Sequence, residues 1–332
     1  MLDRASKTLA TLLIALLIGV AGALSVSGVA PKAQSAVVKN PLAGGGFYVD
    51  PQTTAAWAVR AQPRTAPYVR VIADTPQTRW MGDWNPTGEV RAEVDRYLRR
   101  AGVAGTMPVL ALYAIPHRDC GGFSAGGLAN RSAYAAWIDQ VVAGVAGRRV
   151  AVVLEPDALA SASCLSARQR SERFAMLKDA VTRLGSSTST TVYLDAGHSR
   201  WLDAGTAAAR LRLSGVSLAR GFSLNVSNFN TTRDEVAYGE RLAALVGGKR
   251  YVVDTSRNGL GRAAAGPLDW CNPAGRGLGL RPTTLTAGPH ADAYLWVKHP
   301  GESDGQCGRR EPAPGAWFSS YAVGLVQRAK LG

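Results

Sequence analysis

The chain has 332 residues, with 38 Lys and Arg against 24 Asp and Glu and a formal net charge of +14 at pH 7. Beyond the N-terminal stretch about 300 residues remain, enough for one large α/β domain or two modest ones. The arginines are dispersed in mixed-sign stretches such as Glu89-Val90-Arg91-Ala92-Glu93, with no basic block and no zinc or RNA-binding motif, which sets nucleic acid aside as a partner.

Residues 1–36 open with Arg4 and Lys7 and continue into an uncharged apolar stretch over 9–30. That pattern is a signal peptide or an uncleaved N-terminal membrane anchor, so the rest of the chain, 37–332, is expected outside the cytoplasm or tethered to the envelope. After a Gly-rich segment ending in Phe47-Tyr48-Val49-Asp50, apolar runs and helical periodicities alternate. Residues 70–73 form the first short, mostly apolar run, which the alternation takes as a strand, and 80–86 an irregular aromatic loop. Helices are expected over 89–101, 133–145, 167–184, 204–213, 232–246 and 314–329, and strands over 107–113, 149–154, 190–194, 221–225, 251–254 and 294–298. Strand and helix in turn imply right-handed βαβ units closing into a parallel barrel. No Pro/Ser/Thr linker divides the exported part, so a single domain is expected, and the chain is expected to be a monomer.

Acids fall just past several strands. Asp119 follows the strand ending at Tyr113, Asp157 follows Leu154-Glu155-Pro156, Asp195 closes Val192-Tyr193-Leu194, and Glu302 and Asp304 follow Trp296-Val297-Lys298. Strand ends of this kind carry the chemistry of α/β folds. One such acid is most simply a helix N-cap, but acids at four strand ends flanked by aromatics suit glycosidic bond cleavage, which needs one protonated and one ionised carboxyl. The four cysteines, Cys120, Cys164, Cys271 and Cys307, lack C-x-x-C spacing, and the four histidines are scattered, so two disulfides are expected and no metal. Four cysteines allow three connectivities.

These segments resemble glycoside hydrolase family 6, the inverting cellobiohydrolases and endoglucanases. The resemblance rests on Tyr113-Ala114-Ile115-Pro116-His117-Arg118-Asp119-Cys120, on Leu154 to Leu159, on Leu194-Asp195-Ala196-Gly197-His198, on Asp254 to Gly259, and on Lys298 to Gly305, in that order. It implies a distorted, TIM-like parallel (β/α) barrel with fewer than eight regular strands and no cofactor. Its substrate would be a β-1,4-glucan or cello-oligosaccharide. By resemblance Asp157 is the general acid, Asp119 supports its pKa and the transition state, and Asp304 is the candidate base. The same resemblance assigns sugar contacts to Tyr113, Trp80, Ser124, Asp195, His198, Trp201, Asn225, Trp270, Lys298 and Glu302. It also pairs Cys120 with Cys164 and Cys271 with Cys307. For Asp254 a purely structural role in organising its loop is the alternative to a part in the site. Trp57, Trp137 and Trp317 are assigned to core or interface, and Trp84 and Trp296 are left open. The short interval from Asp304 to Trp317 implies an open cleft and endo action.

Overall fold

A computed structural model describes residues 39–329; the expected leader, 1–36, lies outside the described residues. Seven parallel strands, β1 (Arg79–Gly82), β2 (Val109–Tyr113), β3 (Val150–Leu154), β4 (Thr190–Asp195), β5 (Gly221–Leu224), β6 (Arg250–Asp254) and β7 (Ala291–Leu295), form one sheet in sequence order. Helices α3 (Thr87–Val103), α4 (Arg131–Val145), α5 (Ala167–Leu184), α6 (Ala204–Leu213) and α7 (Thr232–Leu245) connect β1 through β6, one between each pair of neighbours. Helices α1 (Thr54–Ala61), α2 (Ala66–Ala73) and α8 (Ser319–Gln327) contribute to a separate apolar cluster with Leu278 and Trp296.

The strands are buried on both faces, as a parallel sheet covered by crossover helices requires. Their period of two divides the side chains between two cores. In β3, Val150, Val152 and Leu154 join the large cluster that includes the helices, while Ala151 and Val153 join a smaller inner cluster with Val109, Ala111 and Tyr193. A register shift between β6 and β7 at Tyr251/Val252 changes that parity locally. On α3 the buried residues Val90, Val94, Tyr97, Leu98 and Ala101 make one stripe. α5 begins with a capping box, Ser166 and Gln169 each bonding the other's backbone N–H.

The sheet is the expected barrel with fewer than eight strands, but it is not closed. Each strand pairs with its sequence neighbours, and no ladder joins β1 to β7. Two further expectations are corrected. Residues 70–73 belong to helix α2, which starts at Ala66 with Pro67 in its first turn, where a missing N–H does no harm. The first strand is Arg79–Gly82, overlapping the segment 80–86 taken for an irregular loop. The last strand lies three residues earlier than expected, and the terminal helix starts at Ser319.

Candidate active site

The strand ends open into a cleft of about 770 Å³. Its walls carry Asp119, Asp157 and Asp304, with Trp80, Trp84, Trp201 and Trp270 distributed around them. Tyr113, Ser124, His198, Lys298 and Glu302 also line it. Asp195 and Asn225, expected to touch sugar, are 1% and 0% exposed and do not line the cleft.

Asp157 sits in the turn after β3 with φ 68°, in the left-handed region that strains a residue with a side chain. Its backbone N–H donates to Asp195 Oδ1 at 2.9 Å, and that oxygen also accepts from Gly197 N at 3.0 Å. Ser223 Oγ donates to the other Asp195 oxygen at 2.9 Å. Asp195 is therefore a strut that holds the acid's loop. Burial, then the neighbouring Asp195, Asp119 and Asp304, push the Asp157 carboxyl well above the usual range. Burial likewise raises Asp195 to about 7, against its three hydrogen bonds. Burial and the neighbouring carboxyls together favour a protonated acid at Asp157.

Asp119 lies in a short turn with φ 54°, next to Cys120 at 49°. Its Oδ2 accepts from Ser124 N at 2.7 Å, folding the Gly-rich segment back over it. A Cβ at Gly122 would stand 2.5 Å from Asp119 Oδ2, so any side chain there would displace the carboxylate. The stretch 122–126 spells G-x-S-x-G, but in a loop instead of a strand–turn–helix, so Ser124 lacks the context of a nucleophile elbow. Arg118 braces this loop from beneath. Its guanidinium donates to Tyr113 O at 2.7 Å and Ser124 O at 2.9 Å, pairs with Asp83, and lies 4.5 Å from the centre of the Tyr113 ring.

Asp304 is nearly buried and ion-paired on both sides. Arg257 Nη1 donates to Oδ2 at 2.7 Å, Asn272 N to the same oxygen at 3.0 Å, and Lys298 Nζ is 3.3 Å from Oδ1. Burial alone would raise its pKa, but Arg257 and Lys298 outweigh it and hold the carboxyl below the usual range. Asp254 commits both oxygens to backbone N–H groups of Ser227, Ser256, Val297 and Lys298, so its role is to organise the loops after β5, β6 and β7. Disulfides join Cys120 to Cys164 and Cys271 to Cys307, tying together the loops that bear Asp119, Trp270 and Asp304.

Among the tryptophans, Trp84 is exposed on the cleft wall, whereas Trp137 and Trp296 are buried core. Trp57, assigned to core or interface, is 51% exposed and so is not core. Trp80 stands edge-on to Tyr113 with ring centres 5.3 Å apart. His198 packs 5.5 Å from Trp201, and burial with the charges of Arg262 and Arg200 lowers its pKa to about 4. Phe123, Arg200, Asn228 and Arg262 also reach the wall. Only the Arg-Asp-Cys context pointed to the Phe123 loop, and nothing in the sequence pointed to the others.

The sequence profile of the glycosyl hydrolases family 6 matches residues 43–329. The chain belongs to that family. It is 44% identical over 287 residues to endoglucanase A of Cellulomonas fimi, covering 86% of this chain and 62% of that protein. It is 45% identical over 273 residues to endoglucanase 1 of Streptomyces halstedii, covering 79% of this chain and 82% of that one. Among solved structures, the endoglucanase Cel6 of Mycobacterium tuberculosis, in complex with methyl-cellobiosyl-4-deoxy-4-thio-β-D-cellobioside, superposes with a TM-score of 0.86 at 52% identity. That match covers 87% of this chain and 99% of the other. The family 6 chain therefore spans somewhat under two thirds of the Cellulomonas fimi relative.

Proposed function

We propose that the chain is an endo-β-1,4-glucanase that cleaves cellulose-type glucan with inversion at the anomeric carbon. The observation that carries this reading is the set of three carboxyls, Asp157, Asp119 and Asp304, on one cleft wall among four tryptophans. Flat aromatics receive the C–H faces of pyranose rings, while polar side chains answer the equatorial hydroxyls. Asp157, kept protonated by its surroundings, delivers its proton to the departing glycosidic oxygen. Asp304, kept ionised by Arg257 and Lys298, is the candidate base and places a fixed negative charge at the site of developing positive charge. Asp119 helps keep the proton on Asp157 and shares in stabilising that charge. The names of the two curated relatives support endo action, as does the short stretch between Asp304 and Trp317. Export is proposed with it, on the support of the two disulfides.

The test is hydrolysis of carboxymethylcellulose followed by viscometry, reducing-end assay and NMR of the first product. Viscosity should fall steeply while few reducing ends have appeared, and the new reducing end should be α. Early cellobiose at nearly constant viscosity would defeat endo action, and a β product would defeat inversion.

A further inference from the structure

The open seam between β1 and β7 is bridged by a few contacts. Thr78 N donates to Trp296 O at 3.0 Å, and the Trp80 indole N–H donates to Val297 O at 2.8 Å. The third bridge is His299, in the loop after β7, whose side chain is only 12% exposed. Its Nε2 stands 2.6 Å from Thr78 O, and its Nδ1 stands 2.8 Å from Glu302 Oε1. A backbone carbonyl can only accept, and a neutral imidazole carries one N–H. Beside an ionised Glu302, both contacts are hydrogen bonds at once only when the ring is an imidazolium.

The carboxylate that His299 holds belongs to the cleft wall. Glu302 Oε1 also accepts from Thr54 Oγ1 of α1 at 2.7 Å, and Oε2 has no protein partner among the described residues. We propose that cationic His299 is a positioning residue that locks Glu302 Oε1 and leaves Oε2 for a sugar hydroxyl, so that glucan binding weakens when the ring loses its proton. This rests on the glucanase reading of the cleft.

The surrounding charges agree. The charged groups acting on the ring are Glu302 and, in opposition, Lys298, which is itself paired with Asp304. The segment before β1 and helix α1 contribute neutral groups, the Thr78 carbonyl and the Thr54 hydroxyl. Burial disfavours the charged ring, but Glu302 and the carbonyl outweigh it and raise the pKa above its ordinary value. Burial would raise Glu302, but His299, Lys298 and Thr54 together lower it. Above the pKa of His299 the neutral ring must release either Thr78 or Glu302.

The probe is a thio-linked cello-oligosaccharide that resists hydrolysis, its Kd measured by calorimetry from pH 5 to 9 and compared with kcat and KM on a neutral soluble glucan. Wild-type Kd should be flat in acid and rise about tenfold on the alkaline side, the scale of one charge-assisted hydrogen bond. His299→Gln keeps a donor in the Nε2 place and loses the one facing Glu302, whereas His299→Asn does the reverse. Both variants should lose the pH dependence of Kd. Gln should bind about tenfold more weakly than Asn, with the loss in KM and kcat within about threefold. The ring ¹⁵N signals of the wild type should show both nitrogens of His299 protonated at pH 6, a readout that stands even if a variant fails to fold. A neutral ring at pH 6, a flat wild-type Kd, or variants that keep the wild-type profile would overturn the proposal. Absence of both binding and hydrolysis at every pH would instead overturn the glucanase reading.

Discussion

A general acid must hold its proton at the pH where the enzyme works and release it to an oxygen that is becoming basic. Asp157 meets the first condition through burial and the three carboxyls around it. Asp157→Ala should lower turnover on unactivated glucan by about two to four orders of magnitude, the contribution typical of a positioned acid. On an aryl cellooligoside whose phenolate leaves unaided, the loss should be far smaller, because no proton is needed. Equal losses on both substrates, read from kcat, would remove Asp157 from that role. That a carboxyl stands at this strand end was legible in the sequence from the apolar run before it, whereas its role as acid rests on the family resemblance. The identity of its support was not legible. Asp195 has the same strand-end context and resembles a sugar ligand, yet it faces backbone N–H groups because the turns after β3 and β4 approach each other there. Spacing in a linear motif carries no information on which of two neighbouring strand ends faces the cleft.

The loops after β2 and β3 carry the two central acids, and one buried side chain of helix α5 fixes both. Arg173 is 1% exposed and donates to Pro116 O at 2.9 Å, His117 O at 2.6 Å and Ala158 O at 3.3 Å. Beneath it, Glu155 accepts from Ala114 N and Ile115 N, and burial raises that carboxyl to about 7. Arg173→Met should leave these three carbonyls without the guanidinium and destabilise the protein by about 3 kcal/mol, roughly 1 kcal/mol for each. Urea denaturation measures this, and a change below about 0.5 kcal/mol would mean water replaces the guanidinium at no cost. At this scale the long elements were readable: α5 and α6 have the bounds expected from the sequence pattern. The short ones were not. A four-residue apolar run such as 70–73 suits either a strand or the end of a helix, and the packing of α2 against α1 and α8 decides it. The strand at Arg79–Gly82 is equally short and pairs along one side only, with β2, so its sequence shows little of the pattern of a central strand.

For the molecule as a whole, the buried ionisable groups determine how stability depends on pH. Burial raises Glu155, Asp195 and Glu235 to about 7 in the folded state. In the unfolded chain such groups ionise near pH 4. Between roughly pH 4 and pH 7 the folded protein therefore binds more protons than the unfolded chain, and stability falls as pH rises. His198 acts in the opposite sense: its folded pKa of about 4 lies below the ordinary histidine value, so it contributes stability that is lost as pH falls from above 6.5. One group of this kind against three, joined by Asp157 and Asp254 whose carboxyls burial also raises, leaves the net slope downward toward neutral pH. His299, with a raised pKa, adds to that slope, since its stabilisation is full below about 6.5 and is lost as pH rises through its folded pKa. Asp304 and Glu302, with lowered pKa values, limit the acid side, because their stabilisation disappears as pH falls through those values. The maximum should thus lie near pH 4, with each net proton worth about 1.4 kcal/mol per pH unit on the way to neutrality. Denaturation midpoints in urea at pH 5 and pH 7.5, at one salt concentration, decide the matter. A higher midpoint at pH 7.5 would mean that the three buried carboxyls are ionised in the folded protein and that their hydrogen bonds outweigh burial.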